Sequence, residues 1–290
     1  MQIRFGFRGI ELSALEPLLE RMGAEAVTLE DAEDHPLYEP KPGEMPLWPA
    51  VIVSSLFPIA TDAAQVRNRL ESLPGLEIRD WHSSRIDDQD WHRAWMDQFE
   101  PMRFGERLWI VPSWHTPPDP AAVNLMLDPG LAFGSGTHPT TALCLEWIDA
   151  NPPVCRDVLD YGCGSGVLAL GALKLGARQV TGVDIDPQAL SASHANIENN
   201  PGADGNYLLC LPEDLPASED FDVVLANILA NTLTEFAPHL AERTRSGGWA
   251  ILSGVLDDQV DAVAAAYRPW FDIARILHRD GWARLDCQRL

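Results

Sequence analysis

Asp160, Gly162, Gly164 and Gly166 fall within the run Val158-Leu159-Asp160-Tyr161-Gly162-Cys163-Gly164-Ser165-Gly166. Glycines on alternate positions make a turn whose backbone a ligand can approach more closely than any Cβ permits. Their spacing is one residue short of G-x-G-x-x-G, the fingerprint that leads a pyrophosphate onto a helix N-terminus. A carboxylate two residues before the first glycine repels phosphate and suits a cationic ligand. The plain alternative is a glycine turn packed tightly on its neighbours, with no ligand. Twenty-two residues past Gly162 stands Asp184, closing Gln179-Val180-Thr181-Gly182-Val183-Asp184. An acid at the end of such a strand accepts hydrogen bonds from a ribose diol. Asp184 could instead cap the next helix, but Asp186 is better placed for that, with Pro187 at the first helical position.

Two further stretches carry candidate chemistry. In Asp128-Pro-Gly-Leu-Ala-Phe-Gly-Ser-Gly-Thr-His-Pro-Thr-Thr141, three glycines around Phe133 read as a loop able to cover a ligand. Thr140 and Thr141 either face that ligand or cap the helix that follows. His138 is a candidate general base, and a histidine that braces the loop is the alternative. In Ala226-Asn227-Ile228-Leu229-Ala230, an Asn follows an apolar strand. That position points into the crevice where doubly wound sheets bind ligands, although an Asn can also simply close a turn.

The elements that must position these residues read as follows. Strand, glycine turn and helix (Val167–Leu175, closed by Gly176) form the first unit of a doubly wound sheet. Strands at Gln179–Asp184, Tyr207–Leu211, Phe221–Leu225 and Gly248–Leu252 continue it, with helices at Gln188–Asn199, Leu233–Arg243 and Asp258–Tyr267. Phe271–His278 and Trp282–Gln288 pair as an antiparallel hairpin about Asp280-Gly281. Upstream, strands at Gln2–Arg8, Ala26–Leu29, Ala50–Phe57 and Leu76–Ile78 alternate with two helices in the order β-α-β-β-α-β. One helix face carries Leu12, Leu15, Leu18 and Leu19, and the other helix starts at Thr61-Asp62. That order predicts a ferredoxin-like α+β domain over residues 1–80. Residues 81–100 read as a linker holding a Trp-rich helix over 88–99, and residues 101–290 as the larger α/β domain. Trp91 and Trp95 share a face of that helix and read as a packing seam.

Composition excludes several classes. The 290 residues carry a formal net charge of −22, with 46% hydrophobic residues. Acids outnumber bases in both parts, 19 to 9 over residues 1–100 and 24 to 12 beyond. Phosphate neutralisation needs Lys and Arg, so direct gripping of nucleic acid is disfavoured and basic partners are favoured. No apolar run reaches the ~18–20 residues of a membrane span. Five cysteines without a C-x-x-C pair argue against a disulfide framework or a zinc site, and point to the cytoplasm.

The Asp160–Gly166 loop is similar to motif I of the class I methyltransferases that use S-adenosylmethionine, a ligand with a sulfonium and no phosphate. With the Asp128–Thr141 stretch, Gly182-Val-Asp-Ile-Asp-Pro187, Ala226–Ala230 and Phe99–Trp114, nearly the whole chain resembles the PrmA family. Those enzymes methylate large-subunit ribosomal protein L-eleven (L11) on lysine side chains and the N-terminal α-amine. The resemblance implies an α/β class I fold, Rossmann-like and doubly wound, with a C-terminal antiparallel hairpin. It implies S-adenosylmethionine as cofactor, bound by Thr141, Gly162, Gly164, Asp184 and Asn227, with Asn227 also positioning the amine or adenosine, and no metal. It further implies that the N-terminal domain recognises L11, free or on the ribosome, and that the enzyme is a monomer. The rival within the fold is a methyltransferase of glutamine, RNA or a small molecule. Glutamine and adenine enzymes carry Asn-Pro-Pro-Tyr where this chain has Asn227-Ile-Leu-Ala. The rival outside it is a binding module with a vestigial cofactor fold.

Overall fold

The computed structural model describes residues 1–8, 12–33, 48, 50–85, 99–128, 138–203, 206–216 and 219–290. Outside them lie the helix expected over 88–99, apart from its last residue, and residues 129–137 with Phe133, which were expected to cover a ligand. The side chain of Leu12 and most of the proline-rich stretch before residue 50 also lie outside. The chain divides into two compact units, Met1–Trp91 and His92–Leu290.

The first unit runs β1 (Gln2–Arg8), α1 (Leu12–Arg21), β2 (Ala26–Asp31), β3 (Val51–Leu56), α2 (Ala63–Glu71), β4 (Glu77–Ser84). Its sheet has the order β2-β3-β1-β4 with every neighbour antiparallel, the ferredoxin-like arrangement. Ile3, Phe5 and Val53 from the strands bury against Leu15 and Leu19 of α1 and Val66 and Leu70 of α2. Asp62 caps α2, accepting from the amides of Ala64 and Gln65. β4 runs on to Ser84, beyond the expected Ile78 and into the stretch read as linker. The alternation that marks a strand is broken at Asp80, whose φ of 49° shifts the register against β1. Beyond that bulge Trp81 still turns inward and stacks on Phe5 at 5.4 Å.

The second unit opens with a small sheet, β5 (Met102–Phe104), β6 (Leu108–Val111) and β7 (Val123–Met126), in that order. There follow α3 (Pro139–Ala150), β8 (Asp157–Tyr161), α4 (Val167–Lys174), β9 (Gln179–Val183), α5 (Pro187–Glu198) and β10 (Asn206–Cys210). The chain ends with β11 (Phe221–Asn227), α6 (Ala230–Arg243), β12 (Thr244–Leu256), α7 (Val260–Tyr267), β13 (Phe271–Arg279) and β14 (Trp282–Arg289). The main sheet has seven strands in the order β10-β9-β8-β11-β12-β14-β13. β10 to β12 pair in parallel, and β14 and β13 are antiparallel.

Apolar runs make these central strands because both faces are covered. Val158, Val223, Leu225 and Ile251 face one core with α3, α4 and the small sheet. Leu159, Val224, Ala226 and Leu252 face the other with α6 and α7. Gly176 ends α4 as expected. At φ 97° its amide reaches Leu173 O, and the Ala177 amide reaches Ala172 O, both at 3.0 Å. The connections leave β8 in one direction and β11 in the other, so the order reverses between them. Ligands bind at such a switch point, beyond the carboxyl ends of the strands. Among the described residues no helix is long and apolar enough to cross a membrane.

Candidate active site at the carboxyl edge of the parallel strands

The glycine turn is anchored to the end of β9. The Gly162 and Cys163 amides donate to Val183 O at 2.7 and 3.0 Å. Gly162, Gly164 and Gly166 have φ of 79°, 54° and 74°, where a side chain is strained. The room left by their missing Cβ atoms is not ligand space at two of these positions. A methyl at Gly162 would overlap Ile228 Cγ2, and one at Gly166 would sit 2.7 Å from Ser193 Oγ. At those two positions the gap left by the missing Cβ is filled by Ile228, just past β11, and by Ser193 of α5. α5 holds the turn from outside. Ser193 Oγ donates to Gly164 O at 2.9 Å, and Asn196 Nδ2 donates to Ser165 O at 2.8 Å.

Two carboxylates flank the turn. Asp160 is buried, and its Oδ2 accepts from the Ala169 amide at 3.0 Å. Burial, with the like charge of Asp184 adding to it, pushes the Asp160 carboxyl up to about 7. Asp184 braces the backbone on both sides of it. Its Oδ2 accepts from the Gly164 amide at 2.9 Å and its Oδ1 from the Asp186 amide at 3.0 Å. Asp186 takes the capping role, accepting from the Gln188 amide at 2.8 Å.

Thr141 and Asn227 meet. Asn227 Nδ2, at the end of β11, donates to Thr141 Oγ1 at 3.2 Å. The helix cap of α3 is His138 and neither threonine; its Nδ1 lies 2.7 Å from Thr140 Oγ1. The His138 ring sits edge-on to Trp282 at 4.8 Å, and burial lowers its pKa. These contacts tie His138 to α3 and to the hairpin. α3 is itself pinned to the hairpin. Arg279 forks onto Glu146 with both bonds at 2.9 Å. Buried Arg284 bonds Leu143 O and forks onto Asp286 at 2.6 and 3.0 Å.

The structure therefore gathers Thr141 with Asn227, and Gly164 with Asp184, at the ends of β8, β9 and β11. The whole chain, residues 1–290, matches the sequence model of the family described as "Ribosomal protein L11 methyltransferase (PrmA)". The chain belongs to the PrmA family. Relatives named ribosomal protein L11 methyltransferase agree with it end to end. One from Azotobacter vinelandii is 52% identical, covering 99% of this chain and 98% of its own. One from Shewanella sp. strain ANA-3 is 50% identical, covering 100% and 99%. A crystal structure of ribosomal protein L11 methylase from Lactobacillus delbrueckii subsp. bulgaricus superposes with a TM-score of 0.58 at 31% identity. It covers 66% of this chain and 99% of that one. The second unit has the class I methyltransferase fold, as its strand order and C-terminal hairpin already indicate.

Within this PrmA chain, sequence reasoning passed over two apolar side chains at the same edge. Ile185, directly after Asp184, is 83% exposed, and Leu229, two residues past Asn227, is 52% exposed. The signal was their place in the sequence, each an apolar residue just past a buried strand and beside a polar candidate. No sequence signal pointed to Asn200. Its side chain pairs with both the amide and the carbonyl of Met126 at 2.7 Å, tying β7 to the end of α5.

Proposed function

We propose that this chain transfers methyl groups from S-adenosylmethionine to amines of ribosomal protein L11, both lysine side chains and the N-terminal α-amine. What carries the reading is full-length membership of the family, at about half identity to relatives named for that activity. The local chemistry fits a cationic, ribose-bearing donor. Asp160 and Asp184 flank the turn, and the charge acting on Asp160 there is of its own sign. Each Asp184 oxygen accepts one amide. A carboxylate oxygen has a second lone pair, which would receive a ribose hydroxyl. Gly162 and Gly164 would lie against the donor through their peptide groups, and Ile185 would offer an apolar surface to its base.

When bound, S-adenosylmethionine supplies an electrophilic methyl on a positive sulfur. The rest falls to the chain. The attacking amine must be neutral, yet lysine has a pKa of ~10.4 and an α-amine ~7.7–8.0. Excluding water around the amine lowers that value. Asn227 commits its Nδ2 to Thr141 Oγ1, which leaves its Oδ1 to accept an amine N–H and hold the lone pair in line. Positioning with desolvation is thus the chain's contribution. Recognition of L11, free or on the ribosome, falls to the Met1–Trp91 unit of a cytoplasmic monomer, and the net charge of −22 steers a basic partner toward it. The test is incubation with labelled S-adenosylmethionine and unmodified ribosomal proteins, read by mass spectrometry. Label on L11 amines is expected; label confined to another protein, to RNA or to glutamine overturns the assignment.

A further inference from the structure

Ile228 stands between three loops. The Ile228 branch methyl, Cγ2, fills the space that a Cβ at Gly162 would need. Its peptide lies against Gly254 in the β12 bulge: a methyl there would overlap the Ile228 carbonyl oxygen, 2.9 Å from its carbonyl carbon and 3.2 Å from its nitrogen. Gly254 also has φ 83°, so two independent constraints exclude a side chain. Ile228 is thus held on one side by the turn after β8 and on the other by β12, and its neighbour Asn227 bonds Thr141.

We infer that Ile228 is a positioning residue: its β-branched methyl, seated on Gly162 and backed by Gly254, fixes the glycine turn and the Asn227 amide at one separation. The inference rests on the proposed use of both groups to hold S-adenosylmethionine. It sets the chemistry of the side chain as well as its size. A β-branched residue has one strongly restricted χ1 and a methyl directly on Cβ. Val keeps that methyl and loses only the chain end. Leu conserves volume but carries its branch one carbon further out. General packing favours Leu, the volume-conserving exchange, over Val, which leaves a cavity. The clamp requires the reverse order.

The experiment compares Ile228→Val and Ile228→Leu in the full chain, reading S-adenosylmethionine affinity by calorimetry, kcat and KM for L11, and melting temperature. Ile228→Leu should bind the cofactor at least tenfold more weakly, with a lower kcat and a melting temperature close to wild type. Ile228→Val should rescue affinity to within about threefold of wild type. Equal weakening in both, wild-type affinity in Leu, or a worse Val overturns the inference. A wild-type chain that binds no S-adenosylmethionine would instead fail the proposed function. The clamp is then decided by crystal structures of the two variants: an Asn227–Thr141 hydrogen bond kept in Val and broken in Leu supports it, and the same bond in both sinks it.

Discussion

Asp160 is the side chain at which electrostatics and ligand chemistry meet. In the folded chain it keeps its proton up to about pH 7, against an ordinary value of 3.8. A carboxyl raised on folding gives stability that is complete below the unfolded value and is lost as pH rises through the folded one. The window is therefore from about pH 4 to about pH 7. Asp160→Asn keeps an oxygen for the Ala169 amide and removes the charge. Relative to that variant, the wild type should lose stability between about pH 4 and about pH 7, by up to about 4 kcal/mol, read from urea midpoints. The ionised form also favours a cation. Affinity for S-adenosylmethionine relative to its uncharged-sulfur product should rise across the same window in wild type and stay flat in Asp160→Asn. A flat wild-type ratio would remove Asp160 from ligand electrostatics. Asp184→Ala deletes an acceptor of two backbone amides as well as the proposed ribose contact. It should lower cofactor affinity at least tenfold and stability by about 1–3 kcal/mol. Unchanged affinity by calorimetry would take Asp184 out of the site.

At the scale of elements, α3 matters because it carries Thr141 to Asn227, and the C-terminal hairpin fixes where α3 lies. The two arginines that do this differ in burial. Arg284 is 4% exposed and its Asp286 partner 8%, whereas Arg279 and Glu146 are each about a third exposed. Arg284→Leu leaves a buried carboxylate unpaired and should cost about 3–5 kcal/mol. Arg279→Ala should cost at most about 1 kcal/mol. Adding Asp286→Leu to Arg284→Leu should restore most of the loss; urea midpoints without such recovery would mean that the Leu143 carbonyl bond dominates. The ties from the hairpin to α3 were not legible in the sequence, because Arg279 meets Glu146 and Arg284 meets Leu143 O across 133 and 141 positions, and no local pattern links them. The sheet's central strands were legible, since burial on both faces leaves unbroken apolar runs. So were Gly176 and Asp280-Gly281, whose backbone demands are local. The short strand Met102–Phe104 and the far half of Glu77–Ser84 were missed, being held by partner strands and by a bulge. At the site, residue types and spacing picked out Asp184 and Asn227, whereas the choice of Thr141 over Thr140 came from the family resemblance. They did not show that Asp184 braces the glycine turn or that Ile228 fills the room beside Gly162.

For the whole molecule, the proposed function gives the two compact units separate tasks. The His92–Leu290 unit holds both cores of the main sheet and every residue gathered at its carboxyl edge. The opposite edge is closed within the same unit. Arg245 bonds Asp157, Asp220 and Asp222 at 2.9–3.0 Å, and Arg178 pairs with Asp157. The Met1–Trp91 unit has a separate core. Cofactor binding should therefore survive its removal. A chain of residues 92–290 should bind S-adenosylmethionine within about threefold of wild type, because every proposed contact remains. Methylation of L11 should fall by at least a hundredfold, since a catalytic edge without its docking unit must capture the substrate by chance encounter and forfeits the gain of a tethered second contact. Calorimetry and mass spectrometry on the same preparation decide the matter. Retained binding with lost methylation assigns recognition to the first unit, whereas undiminished methylation would place it on the second.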